Sequence, residues 1–154
     1  TSHGQMTLHG VTAASIQAGT SNHSIDATQI ETAGDVVLTT SNGGIDLDGV
    51  QAGSLTARSS NHALHADNIT TQGRLELRST NGPIHIEKVV PGQAIELVTT
   101  NGAIEGTILD RLEQYTIESR TTHGDSNLPN EYSGGSKSLV ARTTNGDIAI
   151  DFLG

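Results

Sequence analysis

The feature that most constrains this chain is a short motif that recurs about every 20 residues. One copy, residues 40–47, reads TSNGGIDL, and an Asn or His anchors each copy. Successive anchors are 19, 20, 19, 20, 20, 22 and 22 residues apart. The anchors are His3, Asn22, Asn42, Asn61, Asn81, Asn101, His123 and Asn145. A fixed period of this length is typical of proteins built from stacked coils.

Apolar residues recur at fixed distances from each anchor. In the third copy, Ile45, Leu47 and Val50 follow the anchor by three, five and eight residues, and Val36 and Leu38 precede it by six and four. This alternation is the period of a half-buried strand. The sequence therefore predicts an all-β, single-domain parallel β-solenoid of about seven to eight coils. Its coil should be right-handed, because parallel β crossovers overwhelmingly are.

Stacked copies bring the anchors together at one corner. Equivalent residues in successive coils should lie about 4.8 Å apart, the spacing of paired strands. The repeated asparagines are therefore predicted to form a ladder of amide hydrogen bonds. A glycine often follows the anchor, as Gly43 does, and we expect it to adopt a positive φ.

The last third departs from this pattern, so the single domain 1–154 is predicted to have regular coils over 1–105 and irregular coils with a C-terminal cap over 106–154. Residues 106–115 interrupt the strand rhythm and could include one helical turn. All three aromatic residues lie in this part: Tyr115, Tyr132 and Phe152. Because the chain starts inside a repeat without an initiator Met, we expect a piece of a longer protein. The uncapped first coil allows end-to-end self-association.

The composition excludes several classes of function. The formal charge of −9 argues against sequence-independent nucleic-acid binding and against attachment to anionic lipid, and it favours cationic partners. With no cysteine, thiolate metal sites are excluded. No apolar run approaches the length of a membrane span, so no membrane span is expected. No nucleophile–base pairing or phosphate loop is recognisable, so we predict a non-enzymatic protein without a cofactor.

The strongest candidate for a metal site is a pair of outward-facing columns of side chains on the first strand of each repeat. Three consecutive coils place His and carboxylate side chains there: Asp46, Asp48, His65, Asp67, His85 and Glu87. Side chains spaced about 4.8 Å between coils and about 6.7 Å along a strand can converge on one cation. Such ligands would suit zinc or manganese better than calcium. The alternative is a solvated acidic face on which the histidines relieve repulsion between stacked carboxylates.

The second strand of each repeat has outward columns of opposite charge. Glu76 and Arg78 are predicted to pair across coils with Glu96 and Arg58, which would fix register and keep this face soluble. Exposed pairs of this kind contribute little individually. An alternative is an arginine row that grips anionic polymers.

The repeated TTNG-x-I, TSNG-x-I and STNG-x-I units resemble the adhesin-like β-strand-repeat family of unknown function found in bacterial envelope proteins. The tail LDRLEQYTIESRTTHGDSNLPNEYSGGSKSLVARTTNGDIAIDF is similar to the C-terminal signature of its Gram-positive members, which include LiaX-type and LiaG-type cell-envelope stress proteins. The resemblance implies a non-enzymatic β-solenoid at the cell surface or envelope. It also implies a part in the response to membrane-active antimicrobial peptides.

Two functional hypotheses follow. In the first, the chain is a surface, scaffold or binding module whose acidic face takes cationic peptides or contacts other envelope proteins. In the second, it is a metal-binding protein or metal-dependent hydrolase that uses the Asp/His columns named above.

Overall fold

The computed structural model describes residues 4–154 as fifteen strands and one short 3₁₀ helix, Leu112–Gln114. The first sheet contains β1 (Met6–Ala13), β3 (Ile25–Thr32), β5 (Ile45–Ala52), β7 (Leu64–Thr71), β9 (Ile84–Val89), β11 (Ile104–Ile108) and β15 (Ile148–Phe152), in that order. The second sheet, from one edge to the other, contains β2 (Ile16–Thr20), β4 (Asp35–Thr40), β6 (Ser54–Arg58), β8 (Arg74–Arg78), β10 (Ala94–Val98), β14 (Lys137–Arg142), β12 (Tyr115–Arg120) and β13 (Glu131–Ser133). The predicted parallel β-solenoid of about 20 residues per turn is confirmed, with about seven turns.

Successive coils stack in the register that the repeat predicts. Ile45 pairs with Ile25 on one side and with Leu64 on the other, and Leu55 pairs with Val36 and Leu75 in the second sheet. Each of these side chains is at most 2% exposed. The two sheets thus enclose a narrow core of stacked Ile, Leu, Val and Ala, which a chain with only 33% hydrophobic residues can fill.

The third apolar column lies eight residues after the anchor because the backbone bends just before it. Seven residues after the anchor, Gln29, Gly49, Asn68 and Lys88 have φ between 51° and 64°. One left-handed residue in an extended strand changes which side chains face inward. Val50, the neighbour of Gly49, is therefore buried although it breaks strict alternation.

The predicted asparagine ladder is confirmed. The Nδ2 of Asn42 donates to Oδ1 of Asn22 at 3.0 Å, and Asn61 and Asn81 continue the same pattern at 2.7 and 2.9 Å. A second ladder runs beside it, built from the buried Ser or Thr two residues before each of five anchors, namely Thr40, Ser59, Ser79, Thr99 and Thr143. Ser59 Oγ, for example, donates to the Gly43 carbonyl at 2.8 Å. Both ladders hold neighbouring coils together at the same corner.

The expected positive φ at the glycines that follow the anchors is wrong. Gly43, Gly82, Gly102, Gly124 and Gly146 have no positive φ. They are needed because a neighbouring coil approaches too closely for a side chain. A Cβ on Gly43 would lie 2.1 Å from the His23 carbonyl oxygen, and one on Gly146 would lie 2.3 Å from that of Gly102.

Coils stack in sequence order only as far as β11. The strand β14 lies between β10 and β12, and β15 pairs with β11, so the last repeat unit lies inside the one before it. The anchors follow the same order. Asn145 Nδ2 donates to Asn101 Oδ1 at 2.6 Å, and His123 bridges Asn145 from the outside.

The C-terminal end is covered by an aromatic cluster and a reversed strand. The side chain of Tyr115 is fully buried and lies 5.4 Å from the Phe152 ring, centroid to centroid. Tyr132 is half-buried on β13, which pairs antiparallel with β12. The predicted helical turn is the 3₁₀ helix. At the other end, Met6, Leu8 and Ile16 of the first described coil are only partly buried. End-to-end association through that coil stays a prediction.

Candidate functional site

The structure places all six predicted metal-ligating residues on the outward side of the first sheet. Asp46 pairs with His65, and His65 pairs with His85. In the next column Asp48 pairs with Asp67, and Asp67 with Glu87. The columns continue to Asp26 and Glu105 at the two ends. We call this surface, from Asp26 to Glu105, the acidic face.

The side chains of the acidic face are held mainly by neutral hydrogen-bond donors. Asn68 donates to Asp48 Oδ1 at 3.1 Å, and Gln5 donates to Asp26. The rings of His65 and His85 lie 5.9 Å apart, tilted by 51°. Among residues 4–154 the one ion pair on this face joins Glu87 to Lys88, at 3.1 Å.

A shallow cavity of about 440 Å³ lies on the three N-terminal coils of the acidic face. Its lining includes Asp26, Thr28, Asp46, Asp48, His65 and Asp67. Nowhere in residues 4–154 do three His, Asp or Glu side chains come together in a way that could hold a metal ion. The register does bring carboxylates and imidazoles side by side on adjacent strands.

Asp67 differs from the other carboxylates of this face in having a buried oxygen without a partner among the described residues. The residue is partly buried, and the oxygen concerned is Oδ1. A buried carboxylate oxygen without a donor is costly, so removing the charge at this position should cost the fold little.

The outward side of the second sheet is charged but neutralised. Glu76 is 8% exposed and lies 2.8 Å from both Arg58 Nη2 and Arg78 Nε. Arg74 and Arg78 also pair with Glu96 on the next strand. The predicted cross-coil pairs are thus confirmed, and they form one network, which we call the Arg/Glu network.

The electrostatics of Glu76 follow from this network. Burial raises the pKa of Glu76, but the hydrogen bond from Arg58 and the charges of Arg78, Arg58 and Arg74 outweigh it. The net result is a pKa below the usual value of 4.5. The carboxylate is therefore ionised throughout the neutral range and ties β8 to β6, while Glu96 extends the network to a third coil.

A third charged group fastens the C-terminal cap. Lys137 Nζ lies 2.6 Å from Asp110 Oδ2 and 3.2 Å from the Pro91 carbonyl oxygen, and the Tyr115 hydroxyl donates to the same Asp110 oxygen at 3.1 Å. Burial raises the pKa of Asp110, but the bonds from Lys137, the Arg111 amide and Tyr115 bring it below its usual value. Burial and the Asp110 charge raise the pKa of Tyr115. These contacts link Tyr115 and Lys137 to Asp110 at the C-terminal cap.

Sequence reasoning missed two contributors. The first is Arg74, which bridges Glu76 and Glu96. A signal for it was present, because strand alternation places Arg74 and Glu76, two residues apart, on the same face. Asn68 holds Asp48 from a position seven residues after its anchor. That second contact depends on the left-handed bend, so alternation could not have shown it.

The total charge divides unequally between the two sheets. The first-sheet strands carry eight carboxylates and one basic residue, Lys88. The second-sheet strands carry five carboxylates and six basic residues. Most of the formal charge of −9 is thus concentrated on one side of the solenoid. The outward side of the first sheet is therefore strongly anionic.

Comparison with known proteins assigns the chain to a family. It belongs to the Toastrack DUF4097 family, whose model matches residues 1–151. No curated protein and no solved structure matches the chain. Over the described residues, the structure holds no helix with the length and apolar character needed to cross a membrane.

Proposed function

We propose that this domain is a non-enzymatic scaffold and binding module that takes cationic peptide segments on its acidic face. One observation carries the proposal. Among residues 4–154, the carboxylates of this face have no Lys or Arg partner except Lys88, whereas Glu76, Glu96 and Glu118 of the second sheet pair with arginine. Unpaired carboxylates at regular spacing attract positively charged groups over several ångströms. A surface that balanced its own charge would not.

The fold suits this role because it fixes the spacing of the charges. Asp48, Asp67 and Glu87 occupy one column on three consecutive coils, so their backbones are about 4.8 Å apart. The hydrogen-bonded ladders hold that spacing without a ligand. Binding would therefore require little reorganisation of the domain, and its cost would fall mainly on the partner.

The setting we propose is the bacterial cell envelope. Support comes from the resemblance of the TTNG-x-I units and the C-terminal tail to adhesin-like envelope proteins. Membrane-active antimicrobial peptides are cationic, so a module that binds them would act in the response to envelope stress. An adhesin-like contact with basic segments of other envelope proteins rests on the same surface.

The alternative is a metal-binding protein or a metal-dependent hydrolase that uses Asp46, Asp48, His65, Asp67, His85 and Glu87. The register supports it as far as bringing these side chains onto one face. We favour the peptide because no three of the His, Asp and Glu side chains in residues 4–154 have a metal-binding arrangement.

A binding experiment with two charge-matched variants tests the proposal. The ligand is a fluorescent Lys/Arg-rich peptide of 15 to 20 residues. The first variant is Asp46→Asn/Asp48→Asn/Asp67→Asn. The control, Asp35→Asn/Asp125→Asn/Glu131→Gln, removes the same charge from exposed positions outside the acidic face.

At 50 mM salt the wild type and the control should bind similarly, and the first variant about tenfold more weakly, the effect of about 1.4 kcal/mol lost over three surface charges. Affinity should fall as salt rises, because screening weakens exposed charges. Equal weakening in both variants would mean that net charge, not this face, attracts the peptide. A parallel titration with zinc, manganese and calcium that raised the melting temperature of the wild type but not of the first variant would favour the metal alternative.

A further inference from the structure

The last repeat unit, residues 137–152, is inserted between two segments that precede it in the chain. On its inner side the Thr99 amide donates to the Arg142 carbonyl at 3.0 Å. On its outer side the Thr143 amide donates to the Arg120 carbonyl at 3.0 Å. Residues 94–108 and the cap unit 115–128 are therefore separated by one coil height, and a later piece of chain fills the space.

The composition of the two units explains why the later one lies inside. The 137–152 unit places Leu139, Ala141, Ile148 and Ile150 on the core columns, and all four are buried. The cap unit places serines at two equivalent positions, Ser119 and Ser126, whose hydroxyls bond to each other at 2.7 Å. A coil covered on both sides gains most from apolar side chains. The paired serines suit the end of the stack.

We propose that the space between residues 94–108 and the cap is a strand-accepting site, and that the 137–152 unit of a second copy can fill it in place of the chain's own. Reciprocal exchange would produce a dimer in which each coil keeps the contacts it has in the monomer. Only the connection between units and the entropy of association would differ, which is the condition under which exchange is inexpensive. The dimer fraction would rise with protein concentration.

The connection that would act as the hinge is short and tightly packed. Only residues 134–136 join β13 to β14. A Cβ on Gly135 would lie 2.1 Å from the Gln114 carbonyl oxygen, and one on Gly134 would lie 2.7 Å from that of Glu113. The closed connection thus depends on glycine, and a side chain there would favour an open connection. Short hinges under strain favour exchange between copies.

Cysteine cross-linking on the full chain tests the exchange, because the natural sequence contains no cysteine. Val98 on β10 pairs with Arg142 on β14 in parallel register, at about 4.8 Å, which is within the Cα separation of a disulfide. Copies carrying Val98→Cys and copies carrying Arg142→Cys are mixed, unfolded, refolded together and oxidised. The expected product is a mixed disulfide dimer on a non-reducing gel.

Two controls make the result decisive. Copies with Arg120→Cys replace those with Arg142→Cys in the first, because Arg120 is also exposed but lies one strand further from Val98. A single chain with Val98→Cys and Arg142→Cys shows that the pair can form a disulfide. Mixed dimer at least fivefold above the Arg120→Cys control supports the exchange. Mixed dimer no greater than that control overturns it.

Light scattering after size-exclusion chromatography tests the hinge. Gly135→Ala should raise the dimer fraction severalfold after refolding at matched concentration, while Ser136→Ala, at an exposed position in the same connection, should not. If Gly135→Ala remains folded and monomeric, the hinge we assign is wrong. If it fails to fold, the cross-linking result on the natural hinge decides.

Discussion

The two outward faces of this solenoid have the same architecture but differ in whether their carboxylates pair with arginine. On the second sheet Glu76 lies within reach of three arginines and is almost fully covered. On the first sheet Asp46 is exposed, and its neighbours in the column are Asp26 and His65. Since both faces are built on equally regular coils, register alone does not require pairing. The second face pairs most of its charges with each other, and on the described part of the first face only Glu87 has an ion-pair partner.

The largest difference that we expect between the two faces is in their contribution to the free energy of unfolding. Replacing Glu76 with Gln should lower the free energy of unfolding by about 2 kcal/mol, because three arginines lose a largely buried charged partner. Replacing Asp46 with Asn should change it by less than about 0.5 kcal/mol. Urea unfolding followed by circular dichroism measures both. Similar losses in the two variants would contradict the division between the faces.

Acid should remove the Glu76 contribution in a defined range. The pKa of Glu76 is depressed on folding, so its charge stabilises the fold fully above the unfolded value, near 4.5. That stability is lost as pH falls through the lower, folded value. The difference in unfolding free energy between wild type and Glu76→Gln should therefore stay constant from pH 7 to pH 5 and shrink below about pH 4.5. A difference that disappears above pH 5, or that persists undiminished at pH 2, would count against the depressed pKa.

The left-handed residues are a second difference between the sheets, because they occur in strands of the first sheet. One pair of substitutions tests their effect on stability. Gln29 on β3 has φ 53°, while the exposed Gln17 on β2 has no positive φ. Gln29→Gly should raise the unfolding free energy by up to about 1 kcal/mol, since glycine relieves the left-handed strain. Gln17→Gly should lower it by about 0.5–1 kcal/mol. Changes of the same sign at both positions would show that the bend is unstrained.

The smallest expected effect concerns salt. At low ionic strength Asp46→Asn should raise the unfolding free energy by a few tenths of a kcal/mol, because it removes repulsion from Asp26 on the adjacent strand. In 1 M salt the gain should vanish, since the Debye length is then about 3 Å. Thermal melts at 20 mM and 1 M salt measure the difference. A gain that survives high salt would have to come from something other than charge.

The sequence predicted most of the fold because one simple constraint repeats. Apolar residues three and five positions after each anchor, such as Ile45 and Leu47, are enough to define a strand, its inward side and its register. The asparagine ladder follows from the same alignment. The predicted charge columns of the site also hold, because the residues between the inward ones must face outward.

Two parts of the structure depend on contacts between coils, which the repeat period of the sequence does not reveal. The glycines after the anchors are required because carbonyl groups of a neighbouring coil leave no room for a Cβ, as the His23 carbonyl does at Gly43, and not because of their own φ. The order of the last two units depends on competition for an inner position. The unit with Ser119 and Ser126 lies at the end of the stack, while the unit with Ala141 and Ile148 at the equivalent positions lies inside, a difference that only a comparison of whole coils reveals.

We propose that the acidic face, and not the second sheet, receives a cationic partner. Chemical-shift mapping of the ¹⁵N-labelled protein during titration with a Lys/Arg-rich peptide tests it most directly. We predict that the largest amide shifts fall on residues 26–28, 46–48, 65–67 and 85–87 and saturate with one affinity. Shifts concentrated at Arg58, Arg74 and Arg78, or spread evenly over both sheets, would contradict the account.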